Sequence, residues 1–224
     1  MTERPILFSG PMVRAILDGS KTQTRRPLRI QPPSDTGQYR YVESRKSWFH
    51  ESMTWRLGDV FPGSQNPDQS VAWVAAHGTR CPFGVPGDRL WVRETWRPFS
   101  YGAHVVPNYA ADQGAPGTRR ELVPPADWKV PAASHRGMVP AIHMPRWASR
   151  ITLEVLDVRV ERLQDISEED ARAEGWPGPR ADIADPEVHR DAARDWFMDL
   201  WSATYGAESW AANSWTWAIT FRRI

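Results

Sequence analysis

The chain has 224 residues, a formal net charge of +1, 25% charged residues and 41% hydrophobic residues. That is enough chain to bury roughly 70% of its unfolded surface, and the balance excludes both a disordered polyelectrolyte and a protein held on nucleic acid by bulk charge. No apolar run nears the ~20 residues needed to span a bilayer, MTERPILFSG lacks a signal-peptide core, and a lone cysteine, Cys81, excludes an intrachain disulfide, so a cytoplasmic protein without a membrane partner is expected.

In chain order, Ile6 and Phe8 alternate in a short strand. Ser9-Gly10-Pro11 then starts a helix with proline at its first turn. Met12, Val13, Ile16 and Leu17 make one apolar stripe, and Gly19 suits the left-handed cap that ends a helix. The basic run Lys21-Thr22-Gln23-Thr24-Arg25-Arg26 is expected to enter a strand at once. Residues 27–87 carry seven prolines and six glycines, and residues 97–148 carry eight and four, so both read as long insertions without cores of their own. Between them, Leu90, Val92, Glu94 and Trp96 share one strand face. Along Arg150–Glu161 the apolar phase starts as Ile151, Leu153, Val155 and slips to Leu156, Val158, Val160. Such a slip marks a β-bulge, common where a sheet curls. A helix begins at Ser167, and a second, Asp191–Thr204, turns Trp196, Phe197, Leu200 and Trp201 inward. Trp215, Trp217, Ile219 and Phe221 alternate in a last strand, which with the second helix is expected to form the main core. Short strands with few helices predict a small mixed barrel, α+β in class, as one domain over 1–224.

His50, His77, His104, His135, His143 and His189 show no ligand spacing, and His77 with Cys81 is an unsupported pair, so neither a metal nor another cofactor is expected. Three constellations remain. Across residues 14–29, Arg14, Lys21, Arg25, Arg26 and Arg29 stand against Asp18 alone, a cluster suited to an oxyanion or phosphate, or to a solvated basic face. Within it, Thr24 offers a hydroxyl nucleophile, and Lys21 can be its base if burial or the Arg25 cation favours the neutral amine. Glu174 falls in the last turn of a helix N-capped by Ser167, with Asp170 at the capping-box position and Gly175 closing it. A carboxylate at that end is disfavoured by about 0.3–1 kcal/mol, which favours its protonated form and suits a proton shuttle. Glu94, alone on an apolar strand face, must find a partner if buried; structural pairing and a ligand-facing place near Lys21 both fit.

The run Ile16–Arg26, with Gly87-Asp88-Arg89-Leu90-Trp91-Val92-Arg93-Glu94, the Ile166–Gly175 helix and the Trp215–Phe221 strand, resembles ASCH-domain proteins of the phage and prophage branch, in which long insertions separate these blocks. The resemblance covers about half of the chain and implies a PUA-like β-barrel. One bacterial branch of that family hydrolyses N4-acetylcytidine with a Lys and a Thr of a K-x-x-T motif and a Glu on the later helix. By position these are Lys21, Thr24 and Glu174 as catalytic residues, with Arg25, Arg26 and Glu94 as substrate-binding candidates. The resemblance implies a metal-free amidohydrolase acting on a small nucleoside or modified base. Other members are ribonucleases or bind RNA or modified bases, so an RNA- or DNA-binding protein that catalyses nothing is the alternative. A protein whose insertions form a partner surface is a third reading.

Overall fold

The computed structural model describes residues 1–32, 37–42, 47–50, 79–101, 103–113, 121–135, 137–178 and 191–224. Much of both insertions, together with His77 and His189, lies outside the described residues. The architecture is α+β: a mostly antiparallel sheet with three α-helices among the described residues. None of those helices is long and apolar enough to cross a membrane.

Strand β1 (Glu3–Leu7) leads into helix α1 (Gly10–Asp18), which has Pro11 in its first turn, buries Val13 and Ile16, and ends at Gly19 with φ +87°. No side chain can occupy that left-handed turn without strain, so the chain reverses at Gly19 and enters β2 (Gln23–Pro27). Two short hairpins follow, β3 (Tyr39–Val42) with β4 (Ser47–His50), and β6 (Trp96–Tyr101) with β7 (His104–Tyr109), on either side of β5 (Arg89–Arg93). Strand β8 (Thr152–Arg162), helix α2 (Glu168–Ala173), helix α3 (Ala192–Tyr205) and strand β9 (Trp215–Arg223) complete the chain.

The main sheet runs β1-β5-β8-β9-β2, with β1 and β5 parallel and the other pairs antiparallel. Its register on β9 shifts between Val155 and Asp157, where the sequence phase slips, and the extra residue, Leu156, is left exposed. Among the described residues no ladder closes β2 onto β1, so the sheet is not a closed barrel. A side chain bridges the two edges instead: Arg26 Nη2 donates to the Leu7 carbonyl at 2.8 Å.

Apolar residues gather in three clusters. The largest lies on the sheet and holds Ile6, Phe8, Leu90, Val92, Leu153, Trp217, Ile219 and Phe221, with α1 against it through Val13 and Ile16. A second holds α2 and α3, with Leu163, Ile166, Ala171, Phe197 and Trp201 fully buried and Trp196 and Leu200 half-buried. The expected single core of α3 with β9 is therefore two cores. Gln23 and Arg25 of β2 are buried polar residues, and Arg25 pairs with the half-buried Asp170 of α2. The third cluster, Trp96, Val105, Tyr109, Leu122, Val139, Met144 and Ala148, corrects the reading of 97–148 as coreless. Trp96, Trp128 and Trp147 stack edge to face and at a tilt there, so large aromatic rings build a local core where regular secondary structure is scarce.

Candidate active site

Lys21 follows the Gly19 turn and docks on the C-terminal end of α2. Its backbone pairs with Glu174 as an isolated bridge, its N–H donates to the Ala15 carbonyl, and Thr22 N–H donates to the Ala173 carbonyl. The two segments approach closely because residue 175 is glycine. Gly175 has φ +98°, and a Cβ there would lie 3.1 Å from the Cβ atoms of both Ala15 and Lys21.

That approach buries an ion pair. Lys21 Nζ donates to Glu174 Oε2 at 2.7 Å and to the Glu174 carbonyl at 2.8 Å, and Lys21, Thr24 and Glu174 are each at most 3% exposed. Burial of the ammonium lowers the Lys21 pKa below its ordinary 10.5. Glu174 opposes the shift, and the nearby Arg26 and Arg25 cations add to it. The second Glu174 oxygen, Oε1, is buried without a hydrogen bond. Arg25 Nη1 stands 3.8 Å from it and is also buried and unbonded. A polar atom placed between them would satisfy both.

Strand alternation divides β2 between two surroundings. Gln23 and Arg25 face α2 and β8. Arg25 Nη2 donates to Glu161 Oε2 at 2.7 Å and to Asp170 Oδ2 at 2.9 Å, while Arg159 bridges Asp170 and the Gln23 Oε1. Its guanidinium also stands 6.0 Å from the centre of the Phe197 ring. Burial works against the Asp170 carboxylate, but Arg25 and Arg159 hold its pKa below 3.8. Asp170 thus keeps the backbone half of the expected cap, its N–H donating to Ser167 Oγ at 3.1 Å, while its carboxylate anchors Arg25.

Thr24 and Arg26 lie on the other side of β2. Arg26 Nη1 donates to Thr24 Oγ1 at 2.9 Å, so the hydroxyl expected to act as nucleophile sits under a guanidinium. The Phe8 ring lies close to both cations, with Lys21 Nζ 5.8 Å and Arg26 Cζ 5.2 Å from its centroid. Lys21 makes its side-chain hydrogen bonds to Glu174 and none to Thr24.

The structure therefore brings Lys21 and Glu174 into contact, sets Arg25 beside Glu174, and sets Arg26 on Thr24. Two assignments change. Arg25, expected to bind substrate, is sequestered by two carboxylates, and the cation on the threonine is Arg26. Glu94 is buried as expected, but its partner is Arg150, which grips both carboxylate oxygens at 2.8 and 2.9 Å, and no hydrogen bond or ion pair joins it to Lys21, Arg25 or Arg26. Arg150 also pairs with Asp112 at 2.7 Å and lies over the Tyr109 ring. Burial raises the Glu94 pKa above 4.5 in spite of Arg150. Glu94 thus ties the end of β5 to Arg150 and, through Arg150, to Asp112 and Tyr109, which is the structural pairing of the two expected readings.

Sequence reasoning missed Phe8, Arg159, Glu161 and the anchoring role of Asp170. For the β8 residues a signal existed. Once the phase slips at Leu156, Asp157, Arg159 and Glu161 must share the face opposite Val158 and Val160. Among the described residues no group of three His, Cys, Asp or Glu is placed to hold a metal ion. Comparison with protein-family models, with curated proteins and with solved structures finds no match to this chain.

Proposed function

We propose that the protein is an amidohydrolase that removes an acyl group from the exocyclic amine of a cytidine-type nucleoside, with N4-acetylcytidine as the reference substrate. The observation that carries this is the buried Lys21–Glu174 pair, 2.7 Å long, one strand entry away from a buried threonine hydroxyl held by Arg26. The ASCH resemblance of the K-x-x-T run supports the same three residues. On this reading the five-stranded sheet is the core of a PUA-like fold, whose edges Arg26 ties together.

The chemistry follows from the pair. Moving one proton along the Nζ–H···Oε2 bond makes Lys21 a neutral base and Glu174 a protonated acid in a single step, and the lowered Lys21 pKa favours that exchange. Thr24 Oγ1 then attacks the acyl carbonyl carbon while its proton passes to Lys21. The developing oxyanion is stabilised by Arg26, which exchanges its bond to the hydroxyl for one to the oxyanion; a donor so placed is worth ~10²–10³ in rate. Collapse breaks the C–N bond, and Glu174 gives its proton to the leaving amine. Water next attacks the Thr24 ester, its proton goes to the Glu174 carboxylate, the ester C–O bond breaks as Lys21 returns its proton to Thr24 Oγ1, and the carboxylic acid is released. Because Thr24 is fully buried beneath Arg26, binding must first draw the guanidinium away from the Leu7 carbonyl.

A second reading rests on a different observation: Lys21 bonds Glu174 and not Thr24, so the same cations would hold phosphate in a nucleic-acid reader that catalyses nothing. Incubation with acylated cytidines separates the two. Release of cytidine that is lost in Thr24→Ala supports the hydrolase, and oligonucleotide binding without turnover supports the reader.

A further inference from the structure

Away from Lys21, a cavity of about 630 Å³ opens beside the start of β1, lined by Arg4, Arg80, Cys81 and the Gly84–Asp88 turn. The volume is in the range of pockets that enclose nucleotide-sized ligands. Arg4 shares its strand face with Ile6 and Phe8. Arg4 lies three positions before Leu7 on β1, roughly 10 Å at the strand rise, and neither Lys21 nor Glu174 lines this cavity.

The charges in the cavity are poorly matched. Arg4 Nε is buried with no hydrogen-bond partner, and among the described residues neither Arg4 nor Arg80 has a carboxylate within ion-pair distance. Arg80 is exposed, lines the cavity and, among the described residues, makes one hydrogen bond, from Nε to Ser47 Oγ at 3.3 Å. The carboxylate in the wall, Asp88, is already engaged: Oδ1 accepts from Thr2 N–H at 2.6 Å and Oδ2 from Val85 N–H at 3.3 Å. Gly84 pins it further, since a Cβ there would fall 2.8 Å from Asp88 Oδ2. Burial pushes the Cys81 thiol up to about 12, so it is a neutral wall and not a nucleophile at neutral pH.

Two guanidinium groups, Arg4 and Arg80, thus line one open cavity against the carboxylate of Asp88, whose oxygens are already bonded and whose charge acts on Arg4, which leaves the cavity with net positive charge for an anion. We propose that Arg4 and Arg80 form an oxyanion site for a phosphate group, carried by a mononucleotide or by a polynucleotide backbone. Asp88 keeps the site weak toward bare phosphate, because its charge remains in the wall even with its oxygens engaged. The proposal stands independently of the amide chemistry at Lys21.

The test is calorimetric titration at constant ionic strength with inorganic phosphate, 5′-CMP, cytidine and a short single-stranded oligonucleotide. The expected result is that phosphate binds and that 5′-CMP binds more tightly than cytidine, with Arg80→Gln weakening phosphate and 5′-CMP at least fivefold and Arg4→Gln/Arg80→Gln abolishing phosphate binding. Arg80 is at the surface, so its variant folds and keeps the test readable even if the double variant does not. If the oligonucleotide also binds, and the slope of log K against log salt falls by about one for each arginine removed, the phosphate belongs to a polymer. If 5′-CMP binds and the oligonucleotide does not, it belongs to a free nucleotide. Absence of phosphate binding, or binding that Arg80→Gln and the double variant leave unchanged, overturns the proposal.

Discussion

Removing the Lys21–Glu174 pair asks whether it exists for stability or for chemistry. Lys21→Met keeps most of the side-chain volume but leaves Glu174 buried, with Oε2 stripped of its 2.7 Å bond and Arg25 Nη1 3.8 Å from Oε1 as the remaining cation. Breaking one side of a buried pair costs about 3–5 kcal/mol, and Arg25 places this case at the lower end, about 3 kcal/mol. Glu174→Leu leaves Lys21 with a backbone carbonyl at 2.8 Å and two arginines nearby, a similar loss of about 3 kcal/mol by the same reasoning. In a chain of this size that is a fall in Tm of about 6–12 °C for each single variant. The double variant Lys21→Met/Glu174→Leu restores an uncharged interface, and replacing a whole buried pair by apolar groups of similar volume is often neutral, so it should lie within about 1 kcal/mol of wild type. Urea unfolding at pH 7.5 measures all four proteins. A double variant destabilised by about 3 kcal/mol or more would show that the pair is held for stability, and the full sum of the single costs, about 6 kcal/mol, that the two groups do not interact.

Three further outcomes are expected. Trp217 is buried in the sheet core, 2% exposed, so Trp217→Ala should cost about 3–5 kcal/mol, and a melt within a degree or two of wild type would contradict that packing. Arg150→Met strips the buried Glu94 of its bidentate partner and should destabilise by a similar 3–5 kcal/mol without altering Lys21 chemistry; loss of activity with stability intact would return Glu94 to the site. Because burial holds Lys21 below 10.5 in the fold, the unfolded chain binds the extra proton just under that pH, so wild-type stability should rise relative to Lys21→Met as pH approaches 10.5. Urea midpoints that keep a constant separation across that window would show that Lys21 is not buried as a cation.

The elements were legible wherever one period ran unbroken. The Gly19 cap, the strand at Gln23–Pro27, the Ser167 cap and the Leu156 bulge all follow from local rules that distant contacts did not override. Lys21 and Glu174 were each legible as residues, but their contact was not. They lie 153 positions apart and meet because Gly175 lets two turns touch, a fact of tertiary packing. The exchange of roles between Arg25 and Arg26 has the same origin. Adjacent arginines on a strand point to opposite faces, and which face meets α2 depends on Asp170 and Glu161, far along the chain. Periodicity placed the aromatic rings of the α3 helix inward, but it did not show that they belong to a different cluster from β9. Residues 97–148 were misread because their core joins Trp96, Val105 and Tyr109 of the β6–β7 hairpin to Leu122, Val139 and Met144 from segments outside the strands, so no single period runs through it.

The central claim is that Lys21, Thr24 and Glu174 act as one hydrolytic unit. Its most direct measurement is incubation of the purified protein with N4-acetylcytidine and other N4-acylated cytidines, with cytidine and the free acid followed by chromatography. The expected result is stoichiometric release of both, with Lys21→Ala, Thr24→Ala and Glu174→Gln each losing most of kcat, and pairs of these changes losing little more than either alone. No turnover of any acylated cytidine by the folded wild-type protein, with oligonucleotide affinity that falls steeply as salt rises, would contradict the claim and make these residues contacts of a nucleic-acid reader.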